Sequence, residues 1–178
     1  MTSTDLNTYT IFGYLICGVG FLVANLGGSA AASLKKWVLA LFVGVWLLHT
    51  GSIGLRWIES YQMGIGHAPL SNLYESLVFF AWAVALALIV ARWRFGEDMI
   101  VLLGLPVVFL IMASTSLVDH NIKPLIPALQ SNWLVAHVMT CFLGYSGFAV
   151  SFVAALLLLI SRYLPGIGKH LPRQVLLD

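Results

Sequence analysis

The side chains best suited to bind a metal or carry a proton are five histidines: His49, His67, His120, His137 and His170. A neutral imidazole nitrogen is the commonest protein metal ligand. Cys141 follows His137 by four residues, one helical turn along the same face. Two ligands at that spacing begin a metal site, but no further ligand is spaced to complete a zinc centre. His137 thus reads either as a ligand or as a packed, hydrogen-bonded histidine. His49 precedes Arg56 by seven residues, two turns, so both belong to one stripe and are expected to face a helix bundle. The alternatives for His49 are an interhelical hydrogen bond and a functional role. Those for Arg56 are an interfacial anchor and the partner of an anionic group. Glu75 lies three residues after Asn72, a spacing that completes a capping box. It could instead present its carboxylate to a site. His67 and His120 fall in segments rich in Gly, Pro and polar residues, and His170 falls in a solvated tail.

The elements that hold these residues follow from composition. Of 178 residues, 60% are hydrophobic and only 9% are charged, and the mean hydropathy is +0.95. A soluble domain carries about 25% charged residues. Too few polar residues are present to cover a water-facing surface, so the chain reads as an all-α integral membrane protein. The net charge of +2 comes with no basic run, which excludes a nucleic-acid interface. The two cysteines, Cys17 and Cys141, form neither CxxC nor CxxCH, so the chain is no disulfide scaffold and no c-type cytochrome. Both read as small apolar core residues. The start, Met-Thr-Ser-Thr-Asp, has no Lys or Arg, and no cleavable signal peptide is expected.

Five apolar stretches are long enough to cross the hydrocarbon layer, which takes about 20 helical residues. They lie near 9–27, 36–58, 73–93, 98–117 and 133–163, and form one domain over 1–178. Pro106 predicts a kink in the fourth. Asn72 is the expected cap of the third, and Ser131 or Asn132 that of the fifth. Trp57 and Trp133 fall at the lipid boundary, where tryptophan anchors a helix. Lys35, Lys36, Arg92, Arg94, Arg162, Lys169 and Arg173 all fall on one side, and only Arg56 and Lys123 on the other. The positive-inside rule then predicts an outer N-terminus and an inner C-terminus. The segments near 59–72 and 117–132 face outward.

Two motifs carry a resemblance. Gly-Leu-Arg-Trp (54–57) followed by Gly-His-Ala-Pro-Leu-Ser-Asn-Leu-Tyr-Glu-Ser-Leu (66–77) resembles the segment entering a helix in the CcsA proteins. These belong to system II cytochrome c biogenesis and are called ResC or CcsB in some bacteria. Pro-Ala-Leu-Gln-Ser-Asn-Trp-Leu-Val-Ala-His-Val (127–138) is similar to the family stretch that carries the first external haem-ligand histidine. The resemblance covers nearly the whole chain. It implies a subunit of a cytochrome c haem lyase complex that moves haem b outward and presents it to an apocytochrome c. There the vinyl groups react with the thiols of a CxxCH segment. It implies a ResB-type partner and a bacterial cytoplasmic or thylakoid membrane. Of the histidines, only His137 inherits a role, as an axial ligand of the haem iron. Trp133 and Arg56 are candidate pocket neighbours, Arg56 through a haem propionate.

The family's tryptophan-rich WGxxWxWD segment and its second external histidine have no counterpart in this sequence. The chain is therefore expected to match the N-terminal half of a CcsA protein: a fragment, a truncated gene product, or one part of a split protein whose WWD segment lies on a separate chain. Such a half is not expected to complete the reaction alone. The alternative is a membrane scaffold that binds a partner but no haem. A small-solute transporter finds support only in His49 and Pro106, with neither paired intramembrane carboxylates nor an inverted repeat. Reporter tags on the two termini test the layout: the N-terminal tag should react from outside and the C-terminal tag only after permeabilisation. A C-terminal tag reactive in intact cells would overturn it.

Overall fold

The computed structural model describes residues 1–27, 31–125, 127 and 130–163. His170, Lys169 and Arg173 lie outside the described residues. Five helices are found among them: α1 (Ser3–Leu26), α2 (Ala32–Gln62), α3 (Leu73–Phe95), α4 (Asp98–Ser114) and α5 (Asn132–Tyr163). A 3-10 turn, Thr115–Leu117, extends α4. All five are long and apolar enough to cross a membrane, so the chain is a multi-pass membrane protein of the all-α class.

α1 begins six residues earlier than the apolar pattern predicts. Thr2 caps it by accepting the Asp5 N–H, and Asp5 accepts the Thr2 N–H in return. The carboxylate of Glu59 on α2 then accepts from the Ser3 N–H and hydroxyl at 2.8 and 2.5 Å. An anion beside exposed helix N–H groups is favoured by the helix dipole. α2 likewise overruns its predicted limits at both ends, and α3 continues to Phe95, where Gly96 takes the left-handed φ of 78° that ends a helix cheaply. α4 runs through Pro106, whose ring is exposed.

α1 packs along α2 on a seven-residue rhythm. Ser3, Asn7, Thr10, Tyr14, Cys17, Phe21 and Ala24 are the buried positions of α1. Val38, Phe42, Val45, His49, Ser52 and Arg56 face them from α2. Gly13 and Gly20 leave room for Val45 and Val38, which a Cβ at either glycine would crowd. Small residues of this kind let membrane helices approach closely. Gly104 of α4 does the same for Leu88 of α3. α3 sits deepest, with 50% of its most apolar stretch buried, whereas the figure for α5 is 17%. α5 packs on α3 and, less extensively, on α4.

The bundle has two unlike ends. At the basic end, Asp98 accepts from Arg92 Nε at 2.7 Å and lies 3.2 Å from Lys35 Nζ. Lys35 also donates to Asn25 Oδ1 at 2.9 Å, so four helices meet there. The opposite, polar end carries the 63–72 and 118–131 connections and the first turns of α1, α3 and α5.

Candidate functional site

The polar end is organised by one buried ion pair. Arg56 Nε donates to Glu75 Oε1 at 2.9 Å, and the two side chains are 4% and 1% exposed. Arg56 reaches this depth because it shares the α2 stripe of His49 and Ser52. A terminal guanidinium nitrogen donates to the His120 carbonyl at 2.9 Å, and the guanidinium lies 4.8 Å from the centre of the Tyr74 ring. Both Arg56 and His49 face the bundle, as their spacing predicts. Arg56 is neither a surface anchor nor open to an outside anion.

Glu75 departs from the predicted capping box. Asn72 does cap α3, accepting the Glu75 N–H at 2.9 Å. The Glu75 carboxylate, however, does not reach back to the cap N–H. Its second oxygen accepts from the Ser71 N–H and hydroxyl, both at 2.8 Å, while the first serves Arg56. Arg56 supplies a charge-assisted hydrogen bond stronger than a neutral amide offers. Glu75 therefore closes the 63–72 connection onto α2 and α3.

His67 ties that connection to the other one. Its Nε2 lies 2.9 Å from the Lys123 carbonyl, its Nδ1 2.9 Å from the Ala68 carbonyl, and its backbone N–H donates to Ser60 Oγ. Both ring nitrogens face backbone acceptors, which leaves neither presented to a metal. Gly66, with φ 66°, lets the chain turn beneath the Tyr61 ring. Lys123 also bonds Asp119, which with the Asn121 N–H holds that carboxyl below the usual carboxylate range. His120 is exposed, and its ring lies 6.2 Å from that of Tyr74.

Deeper in, a chain of polar contacts crosses α1, α2 and α3. Tyr14 Oη lies 3.0 Å from His49 Nδ1. Ser52 donates to Asn7 Oδ1 at 2.7 Å, and Asn7 donates to Tyr74 Oη at 2.8 Å. His49 is fully buried and fixed by Tyr14 between α1 and α2. Asn7, Tyr14, Ser52 and Tyr74 were not legible as members of this seam from residue types alone. Their period is the signal: the polar positions of α1 and α2 continue the apolar seam of the same two helices.

His137 lies apart from all of these. It is exposed on α5, and its polar neighbour among the described residues is Cys141, whose Sγ lies 3.6 Å from Nε2. No group of three or more metal-binding side chains forms among the described residues. The buried positions of α5 are Ser146, Val153 and Leu157, with Phe142 packing on Phe79 and Phe80. With about 100° of turn per residue, His137 points to nearly the opposite side. Trp133, four residues earlier and 83% exposed, shares its face. A cavity of about 470 Å³ lies between Trp57, Tyr61, His67, Ser71 and the α5 residues Leu134 and Val135. Leu134 and Val135 bring the first turn of α5 to the cavity, and His137 does not line it. The structure therefore gathers Arg56, Glu75, His67 and the His120 backbone into one bracing unit and leaves His137 and Trp133 on a free face.

Comparison with known proteins identifies a family. The family model described as Cytochrome C assembly protein matches residues 70–175. Relatives named Cytochrome c biogenesis protein CcsA include those of three organisms. That of Synechococcus sp. (strain RCC307) is 32% identical over 164 residues, covering 90% of this chain and 50% of the relative. That of Guillardia theta is 37% identical over 112 residues, 61% of this chain and 36% of the relative. That of Prochlorococcus marinus (strain MIT 9301) is 32% identical over 163 residues, 87% and 49%. The chain spans about half the length, or less, of these curated relatives.

The ion pair yields a stability prediction. Removing one partner of a buried pair costs about 3–5 kcal/mol, whereas replacing both by apolar groups is often neutral. Arg56→Met and Glu75→Leu should each lower the thermal unfolding midpoint in detergent, and the double variant should recover most of the loss. Two single effects that simply add would contradict the pairing.

Proposed function

The chain belongs to the cytochrome c assembly protein family, as a CcsA-type protein of system II cytochrome c biogenesis, and on that premise we propose that it holds haem at its outward end through His137. The observation that carries this reading is the placement of the imidazole. His137 is near the start of α5, at the end opposite Lys35 and Arg92 and their ion-pair partner Asp98. The positive-inside rule supports assigning the basic end to the inner side and His137 to the outer one. There the ring is free of any backbone or carboxylate partner among the described residues, so a nitrogen lone pair is available to iron.

In this reading haem b is cargo, and it brings the vinyl groups that combine with the two thiols of a CxxCH segment in an apocytochrome c. What the chain does is narrower. α5 fixes the depth and direction of His137. Trp133 offers a flat apolar surface one turn away on the same face. Arg56 acts from a distance: with Glu75 and the His120 carbonyl it keeps the outward connections in place behind α5. One imidazole serves one side of an iron. The other ligand and the WWD segment come from outside the described residues, and a ResB-type protein is the proposed further partner. The membrane is the bacterial cytoplasmic membrane, or the thylakoid in a plastid.

The test is spectroscopic. Haem co-purifying with the chain and its partners should fall sharply in His137→Ala at equal protein yield, with loss or shift of the Soret band. An unchanged spectrum and occupancy would overturn the ligand assignment. A complete absence of haem with all partners present would favour a scaffold instead.

A further inference from the structure

We propose that the face of α5 headed by His137 is a docking surface for a transmembrane helix from the half of the family's length that this chain does not span. The face is continuous and open. Thr140, Gly144, Gly147, Phe148 and Ser151 are all exposed along it below His137. A Cβ built on Gly144 or on Gly147 would meet nothing within 4 Å. The hydroxyls of Thr140 and Ser151 donate to the backbone carbonyls of Ala136 and Gly147, one turn back on their own helix. Below His137 and Cys141, neither hydroxyl is thus left unpaired to oppose an approaching apolar helix. Small residues with satisfied hydroxyls let two membrane helices come close enough for backbone packing.

Three further observations select the occupant. α5 is the least buried of the five spans, although its residues lie within the matched family region. Its free face begins with an imidazole, which is costly at a lipid boundary unless a polar or metal partner covers it. The Synechococcus relative is matched over only 50% of its length. As much polypeptide again must pack somewhere, and a helix from that half fills the face without a second copy of this chain. The inference rests on the reading above in one respect: the missing side of the iron site arrives with this helix.

The experiment places a photoreactive phenylalanine analogue at Gly144 or Ser151 of the chain in its native membranes. Gly51 and Gly54 of α2, equally open in the structure, serve as controls. Irradiation should give adducts from 144 and 151 to a transmembrane peptide from the second half of a cytochrome c assembly sequence, identified by mass spectrometry. The α2 controls should give lipid adducts only. Lipid adducts alone at 144 and 151, adducts to a second copy or to an unrelated protein, or equal yields from the controls would overturn the proposal. Haem content of the same membranes separates the two readings. The expected adduct without haem leaves the docking face standing and removes the ligand role of His137. Haem that depends on His137 without the adduct does the reverse.

Discussion

A charge buried between membrane helices has no water to fall back on, so it must find its partners within the protein. Arg56 is the case on which this structure turns. Its guanidinium is shared among the Glu75 carboxylate, the His120 carbonyl and the face of Tyr74. Each of these partners belongs to a different task. Glu75 gathers Ser71 and the 63–72 connection, and His120 anchors the 118–131 connection. Tyr74 passes the contact on to Asn7 and Ser52 in the α1–α2 seam. One arginine therefore couples three helices, α1, α2 and α3, and two connections at the polar end. A lysine could not replace it, because a single ammonium lacks the planar fork that reaches a carboxylate and a carbonyl together.

The bundle is asymmetric as a result. α1, α2 and α3 are bound to one another at both ends, by the arginine at one and, together with α4, through Asp98 and Lys35 at the other. α5 leans on this block through Phe142, Ser146, Val153 and Leu157 and leaves its far side open. The histidine that resembles the family's iron ligand stands on that open side, while Arg56, His49 and His67 brace the bundle and His120 contributes its backbone carbonyl. Such a division suits the proposed role, in which haem is held on the open side of a braced bundle. The rigid half sets position, and the free face admits what completes the site.

Much of this was legible in the sequence, for reasons that differ residue by residue. The five spans follow from hydropathy and length alone. The inward direction of His49 and Arg56 follows from their seven-residue separation. The early start of α1 was missed because Ser3, Asp5 and Asn7 look like a solvated lead-in. In the structure they cap a helix and continue a polar seam whose partners, Glu59, Ser52 and Tyr74, lie 45 to 67 residues away. For Glu75 the sequence left two alternatives, because local spacing offers a capping box and cannot show the arginine 19 residues away that takes the carboxylate instead. The direction of His137 is hidden by composition. α5 is apolar around most of its circumference, so no pattern along it distinguishes the bundle side from the lipid side. Only packing against α3 settles that.

The central claim is that position 137 stands at the outward boundary on an open helix face, and the most direct measurement is thiol labelling there. In a Cys17→Ala, Cys141→Ser background, His137→Cys should react with a membrane-impermeant maleimide added to intact cells, and should be protected when the partner helix is in place. Reaction only after permeabilisation, or burial from the reagent in the isolated chain, would contradict the account.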